Sequence, residues 1–460
     1  MTTYTSLTDA DRREMLEAIG VGTVDALFEA IPESVRLGRA LDMPPGLGEA
    51  EVHAELRELA SRNVSADDEL CFLGAGMYDH YVPALIDSIV ARSEFLTPYT
   101  PYQPEISQGG LQVMFEYQTA ICELTGLPVS NASVYEGPSA VGAAGYMARL
   151  HNGRSKFVVS RGVHPHSRET LATLSAGYGT EVVEVALRDG ATDPEALAAA
   201  IDEETAAVFL QQPNFLGSVE DLEALAPVAK ATGALLVCAC DPLPLGVLRP
   251  PGDFAVDVAV GEGQSLGNRL DFGGPSFGFF AATQELLRRM PGRIAGETTD
   301  VDGRRGFVLT LQTREQHIRR ERATSNICTA QALNALAGVV YLSWLGRRGL
   351  VELGELLLQR TAYARSRLAE IDGVELLHEQ PVVREFALAL DAPVDRVIER
   401  CAAEGVNPGY PLGRDYPEHA DCLLVALTEQ RSRADIDRLA DVLGRAVAAE
   451  RRTAAAGVGA

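Results

Sequence analysis

Lysine is nearly absent from this chain. Of 40 basic residues among 460, only Lys156 and Lys230 are lysines. Any chemistry that needs a lysine amine as nucleophile therefore has two places to happen. Long apolar runs are missing as well: no stretch approaches the ~18 residues that span a bilayer. The opening residues, MTTYTSLTDADRREML, are polar and acidic rather than patterned as a secretory or transit leader. Cysteine is sparse, odd in number and scattered (71, 122, 238, 240, 328, 401, 422), with no C-x-x-C pair. That usage favours buried reduced thiols over a metal site and suits a cytoplasmic protein. Positive charge is in short supply too. The balance of 64 acidic to 40 basic residues gives −24, which argues against a nucleic-acid or anionic-membrane partner. An acidic, arginine-for-lysine composition fits adaptation to high salt or a GC-rich genome equally. With 46% hydrophobic and 23% charged residues, the chain has the composition of a soluble globular protein of two or three domains.

What is present is an alternation of strands and helices. Thr8 or Asp9 caps a helix that Gly20 stops, and a second helix is expected over 49–62 beyond Pro32, Pro44 and Pro45. Residues 1–62 thus read as a helical arm. FLTPYTPYQPEISQGGLQ, with three prolines and two tyrosines, reads as a long ordered loop. From about 131 to 283, strands are expected at Lys156–Ser160, Glu181–Leu187, Ala206–Gln212, Ala234–Cys240, Ala255–Val260 and Phe277–Ala282. Helices fall between the earlier ones, at Asp193–Ile201 and Val219–Thr232. Near-continuous apolar strands imply a mostly parallel sheet covered on both faces. Residues 291–328 read as polar and irregular, and a long helix follows over 329–370. The remainder (VELLHE, VREFALAL, a helix 394–404, DCLLVALTE, a helix 433–448) reads as a small α+β domain. The expected organisation is an arm (1–62), a large α/β domain (63–330), a linking helix with the small domain (331–450) and a flexible tail (451–460).

Several residues invite a chemical reading beside a plain one. The helix opening at Glu136–Gly145 is either a phosphate cup at a helix N-terminus or a tightly packed α/β turn. His164 and His166 follow a strand, where a ring could stack on a cofactor or simply lie in the core. Asn214 lines a pocket or caps a turn. Asp241 closes a strand, as a cofactor partner or in an Asx turn. Arg314, Arg319, Arg320 and Arg322 stand near Thr324, Ser325 and Asn326, suited either to a phosphate or carboxylate or to a solvated helix face. Gly263–Gly267 is Walker-like but lacks the lysine.

A strand closing on Asp241, then a second strand and the loop DVAVGEGQSLGNRLDFGGP, resembles the layout of pyridoxal-phosphate enzymes of the aspartate-aminotransferase superfamily. More specific blocks are LTPYTPYQPEISQGGLQ (96–112), SRGVHPHSRE (160–169), QQPNFLGSVED (211–221), DVAVGEGQSLG (257–267), FGGPSFGFFA (272–281) and the run from MPGRIAGETTDVDGRRG to NICTAQAL (290–333). Together these resemble subunit 1, the N-terminal-half subunit, of the two-subunit glycine dehydrogenase (decarboxylating), the P-protein of the glycine cleavage system.

The resemblance implies the type I pyridoxal-phosphate-dependent transferase fold. It implies a complex that decarboxylates glycine and passes the aminomethyl group to the lipoyl arm of H-protein. In split members the Schiff-base lysine lies in subunit 2, within a His-Lys pair after a matching Asp-Val strand. The corresponding place here is Ser265, after Gln264. Serine cannot form an imine, so the chain is expected to be inactive alone, with pyridoxal phosphate carried by subunit 2. His164, Asp241, Gln264 and Ser265 would form a degenerate cofactor pocket. Tyr99, Tyr102, Glu105, Gln108, Thr324, Ser325 and Asn326 would complete the partner's active site across an interface. The family arrangement is a dimer of heterodimers. Two departures stand out: Arg322 where the family commonly has lysine, and EGPSA around the helix opening in place of DGATA. The rival readings are a non-catalytic scaffold or regulatory pseudoenzyme, and a self-sufficient pyridoxal-phosphate lyase or aminotransferase. The missing lysine opposes the latter.

Overall fold

The computed structural model describes residues 6–457, with side chains to residue 453. The described residues divide into two compact units, with the boundary between Val64 and Ser65. The first unit holds helices α1 (Asp9–Ile19) and α2 (Glu49–Ala60). Thr8 caps α1 in a reciprocal capping box with Asp11, and Gly20 ends it at φ +85°.

In the second unit, α3 (Gln108–Thr125) leads to a seven-stranded sheet. Its strands are β1 (Val129–Ser130), β2 (Lys156–Ser160), β3 (Glu181–Val185), β4 (Thr205–Gln212), β5 (Leu235–Cys240), β6 (Val258–Glu262) and β7 (Gly278–Ala282). The spatial order is β1-β7-β6-β5-β4-β2-β3. All pairings are parallel except those of β7, which runs antiparallel to β1 and β6. Every residue of β5 is buried and all but one of β4, as a sheet covered on both faces requires. Helices α4 (Gly137–Asn152), α5 (Pro165–Gly177), α6 (Pro194–Ala200) and α7 (Leu222–Ala229) supply cover. Gly142 and Gly145 let α4 lie against α5: a Cβ at Gly145 would come within 2.7 Å of Leu171.

β6 is displaced from its expected place. The sequence pattern put a strand at Ala255–Val260, but Pro250 and Pro251 start a 3₁₀ turn and Ala255 adopts φ +56°. The strand therefore begins at Val258 and carries Glu262 at its carboxyl end. The stretch 291–328 is also more regular than expected. It contains an antiparallel hairpin of β8 (Ile294–Thr299) and β9 (Arg305–Thr310). Beyond it, α8 (Ala332–Ala369) is interrupted at Gly346, which has φ +60°.

The C-terminal part is a four-stranded antiparallel sheet of β10 (Val374–Leu376), β11 (Glu385–Leu390), β12 (Tyr410–Pro411) and β13 (Cys422–Ala426), in the order β10-β11-β13-β12. α9 (Val394–Ala403) and α10 (Arg433–Gly457) share one apolar core with this sheet through Phe386, Leu388, Val397, Leu423, Ile436 and Leu443. α10 continues past the expected start of the tail to Gly457; residues 458–460 lie outside the described ones. The loop after β4 touches β11 at Gly217, which has φ +87°. A Cβ there would sit 2.0 Å from the Glu385 carbonyl oxygen, so only glycine permits the approach.

Candidate functional site

Across the carboxyl ends of β4, β5 and β6, where open α/β sheets place their ligands, lies a cavity of about 580 Å³. Its walls come from the loop 73–78, the start of α4, the start of α5, the ends of those three strands and the first residues of β11. His164, Asp241 and Ser265 all line it. Gln264 does not: it is 1% exposed and turns away, accepting from Tyr78 N (2.9 Å) and donating to the carbonyls of Tyr78 (3.1 Å) and Asn268 (2.8 Å). Three of the four expected pocket residues therefore meet, and the fourth clamps the turn.

Each is held by neighbours the sequence did not disclose. His164 Nδ1 accepts from His166 N at 3.1 Å, so Nε2 carries the proton and donates to Ala75 O at 2.9 Å. Burial pushes the imidazole down to about 4, leaving it neutral at physiological pH. Gly76, at φ +101°, makes the close approach possible, since a Cβ there would lie 2.7 Å from His164 Nε2. Asp241 is ion-paired with Arg384, whose guanidinium stands 3.4 Å from the centroid of the Tyr78 ring and also donates to His80 Nε2. His80 in turn donates from Nδ1 to the Glu429 carboxylate at 2.5 Å. Glu385 accepts from Ala75 N (2.7 Å) and the Tyr78 hydroxyl (2.8 Å), and burial lifts its carboxyl to about 7. Glu262 accepts from Gly137 N and Gln264 N, each at 3.0 Å, and from the Ser276 hydroxyl.

This set does not fit a covalently held pyridoxal phosphate. Ser265, 3% exposed, stands on the loop where an imine-forming amine is needed. Both lysines lie at the opposite ends of the strands. Lys156 opens β2 and pairs with Asp202 at 2.8 Å; Lys230 pairs at 2.7 Å with Asp257, just before β6.

The two irregular stretches are brought together, but away from the cavity wall. Arg293, 2% exposed, donates to the Tyr102 hydroxyl at 2.9 Å and to Cys328 O, and pairs with Glu315 at 3.6 Å. Glu315 bridges to Ser325 through the backbone, and the Ser325 hydroxyl accepts from Ile327 N at 3.0 Å. Thr324 N donates to Arg314 O at 3.3 Å. Tyr99, Glu105 and Asn326 are exposed. Gln108 is committed inside, its amide spanning both sides of Phe307 at 2.8 Å. Arg314, a candidate anion ligand by sequence, is buried and donates instead to the carbonyls of Met290, Gly292 and Leu311. Arg319, Arg320 and Arg322 remain exposed.

Arg384, Glu385 and Glu262 are not among the residues that sequence reasoning singles out. The available signals were an Arg-Glu pair opening the apolar strand VREFALAL and an acidic residue inside the glycine-rich GEGQ turn.

The chain matches the family described as "Glycine cleavage system P-protein" over residues 2–443. A relative from Geotalea uraniireducens, named "Probable glycine dehydrogenase (decarboxylating) subunit 1", is 50% identical over 96% of this chain and 99% of its own length. One of the same name from Halalkalibacterium halodurans is 48% identical over 96% and 98%. A crystal structure of glycine decarboxylase (P-protein) of the glycine cleavage system, in inhibitor-bound form, is 43% identical with a TM-score of 0.89, covering 97% of this chain and 100% of that one. A Lactobacillus brevis glutamate decarboxylase, at 14% identity and a TM-score of 0.68 over 91% and 96% of the two chains, shares the type I fold alone. With the family matched along nearly the whole chain and the fold found over 97% of it, the chain belongs to the glycine cleavage system P-protein family.

Proposed function

We propose that this chain is a subunit of a heteromeric glycine decarboxylase, the P-protein of the glycine cleavage system, and works only in complex with a lysine-bearing subunit 2. The complex decarboxylates glycine and transfers the aminomethyl group to the lipoyl arm of H-protein. In this reading pyridoxal phosphate is carried by subunit 2, and the assembly is a cytoplasmic dimer of heterodimers. The observation that carries it is Ser265, buried on the cavity loop, together with two lysines fixed by ion pairs at the far ends of the strands. A cavity with no movable amine among the described residues cannot form the cofactor imine. Its contribution is then to complete the partner's site. Tyr99, Tyr102, Glu105 and Asn326 are exposed near one another's loops, and Thr324 and Ser325 hold the second loop's backbone.

The test is glycine-dependent carbon dioxide release with pyridoxal phosphate and lipoylated H-protein, by this chain with and without subunit 2. Release only with both subunits is expected. Release by this chain alone would refute the reading.

A further inference from the structure

The start of α4 is fully accounted for by this chain's own groups. Its first three positions are Gly137, Pro138 and Ser139, and proline has no N–H to offer. Gly137 N donates to Glu262 Oε2 at 3.0 Å, and Ser139 N donates to Glu136 Oε1 at 3.0 Å. The next group, Ala140 N, already bonds to Glu136 O at 3.1 Å. Two nearby hydroxyls point the same way: Ser139 donates to Glu136 and Ser276 donates to Glu262. Gln264 N, on the neighbouring loop, donates to the other oxygen of Glu262. The backbone of Glu262 is also pressed against the helix, 3.1 Å from where a Gly137 Cβ would stand.

A helix N-terminus facing a cavity is ordinarily the part that holds a phosphate, through free N–H groups and the positive end of the helix dipole. Here none of those groups is free. We propose that Glu262 and Glu136 serve as an internal anion at the start of α4, so that the cavity of this chain excludes phosphorylated ligands, pyridoxal phosphate included. At the cavity's other pole, one oxygen of Asp241 is already ion-paired with Arg384. A phosphate dianion entering the first pole would have to displace three hydrogen bonds to Glu262. It would then lie beside two carboxylates in a site of low dielectric. Burial raises the Glu262 carboxyl above its ordinary range, and Glu136 raises it further, so the pair is already crowded by like charge.

This inference goes beyond the proposed role and is tested without subunit 2, so the two stand or fall separately. The probes are pyridoxamine 5′-phosphate and its dephosphorylated form, pyridoxamine, titrated calorimetrically into the full chain. Neither carries an aldehyde, so Lys156 and Lys230 cannot trap them as imines. The wild-type chain should bind the phosphorylated probe no more tightly than the dephosphorylated one. Glu262→Ala, which frees Gly137 N, Gln264 N and the Ser276 hydroxyl, should gain at least about tenfold in affinity for the phosphorylated probe and nothing for the other. Should the alanine variant fail to fold, Glu262→Gln decides by the same criterion, with an expected gain of at least about threefold from charge removal. Wild-type preference for the phosphorylated probe by about tenfold or more would overturn the proposal. So would a folded variant that gains nothing.

Discussion

Glu385 is a buried carboxyl group at the cavity wall, 5% exposed, with Ala75 N and the Tyr78 hydroxyl as its donors. Burial outweighs both hydrogen bonds and the neighbouring Arg384, and holds the group at about 7 against an ordinary 4.5. Between those two values the unfolded chain releases the proton while the folded chain keeps it. Folding stability therefore falls as pH rises through that window and levels off above it. A displacement of that size is worth on the order of 3 kcal/mol. Glu385→Gln retains an acceptor for Ala75 N and removes the charge, so it should flatten the pH dependence and be the more stable protein at pH 8. Urea unfolding of both proteins at several pH values between about 5 and 8 measures this. Parallel curves for the two would show that Glu385 does not titrate in this range. The same residue also helps fix the cavity wall, since Ala75 and Tyr78 belong to the loop to which His164 donates.

The hairpin β8–β9 and the loops around Tyr102 and Cys328 are tied by one buried ion pair. Arg293 and Glu315 are 2% and 6% exposed on their side chains, and Arg293 reaches Tyr102 and Cys328 with its remaining donors. Removing one member of such a pair strands the other, at about 3 kcal/mol or more, whereas replacing both with apolar groups of similar volume is far less damaging. Arg293→Met should therefore lower stability strongly and make the 95–106 loop more sensitive to protease. The double variant Arg293→Met with Glu315→Leu should recover at least about half of the loss. If the double variant is no better than the single, the pair is not what organises these loops. Sequence pattern could not reveal this element. IAGETT and RGFVLT are short and half exposed, and they alternate too weakly to stand out from polar loop. β4 and β5 were legible for the opposite reason, being buried along nearly their whole length and therefore apolar throughout. β6 was legible but misplaced, because local backbone at Pro250, Pro251 and Ala255 delays it, and only the delay brings Glu262 to the cavity.

At the scale of the molecule, the absence of a lysine was visible in the sequence, but what replaced its surroundings was not. Glu262 meets Gly137 across 125 residues of chain, and Tyr78 meets Glu385 across 307. No local pattern encodes contacts at such separations, so the cavity could be placed from the sequence while its internal wiring could not. The same holds for the residues proposed to face a partner, which exposure separates into two kinds. Gln108 is spent on holding Phe307, while Tyr99 is 77% exposed and Ile106, further along the same loop, is 80% exposed. Large apolar side chains displayed on an ordered loop of a chain with a net charge of −24 are poorly suited to water and well suited to a partner's surface. Aromatic residues at interface centres are worth roughly 2 kcal/mol or more when truncated. Tyr99→Ser combined with Ile106→Ser should leave the thermal stability of this chain alone unchanged, because neither side chain is buried within it. The same pair should weaken association with subunit 2 by at least about thirtyfold, the equivalent of roughly 2 kcal/mol. Sedimentation of the mixed subunits over a concentration series measures the association directly. Unchanged association would remove the 95–106 loop from the interface and leave the Thr324–Asn326 loop to carry it.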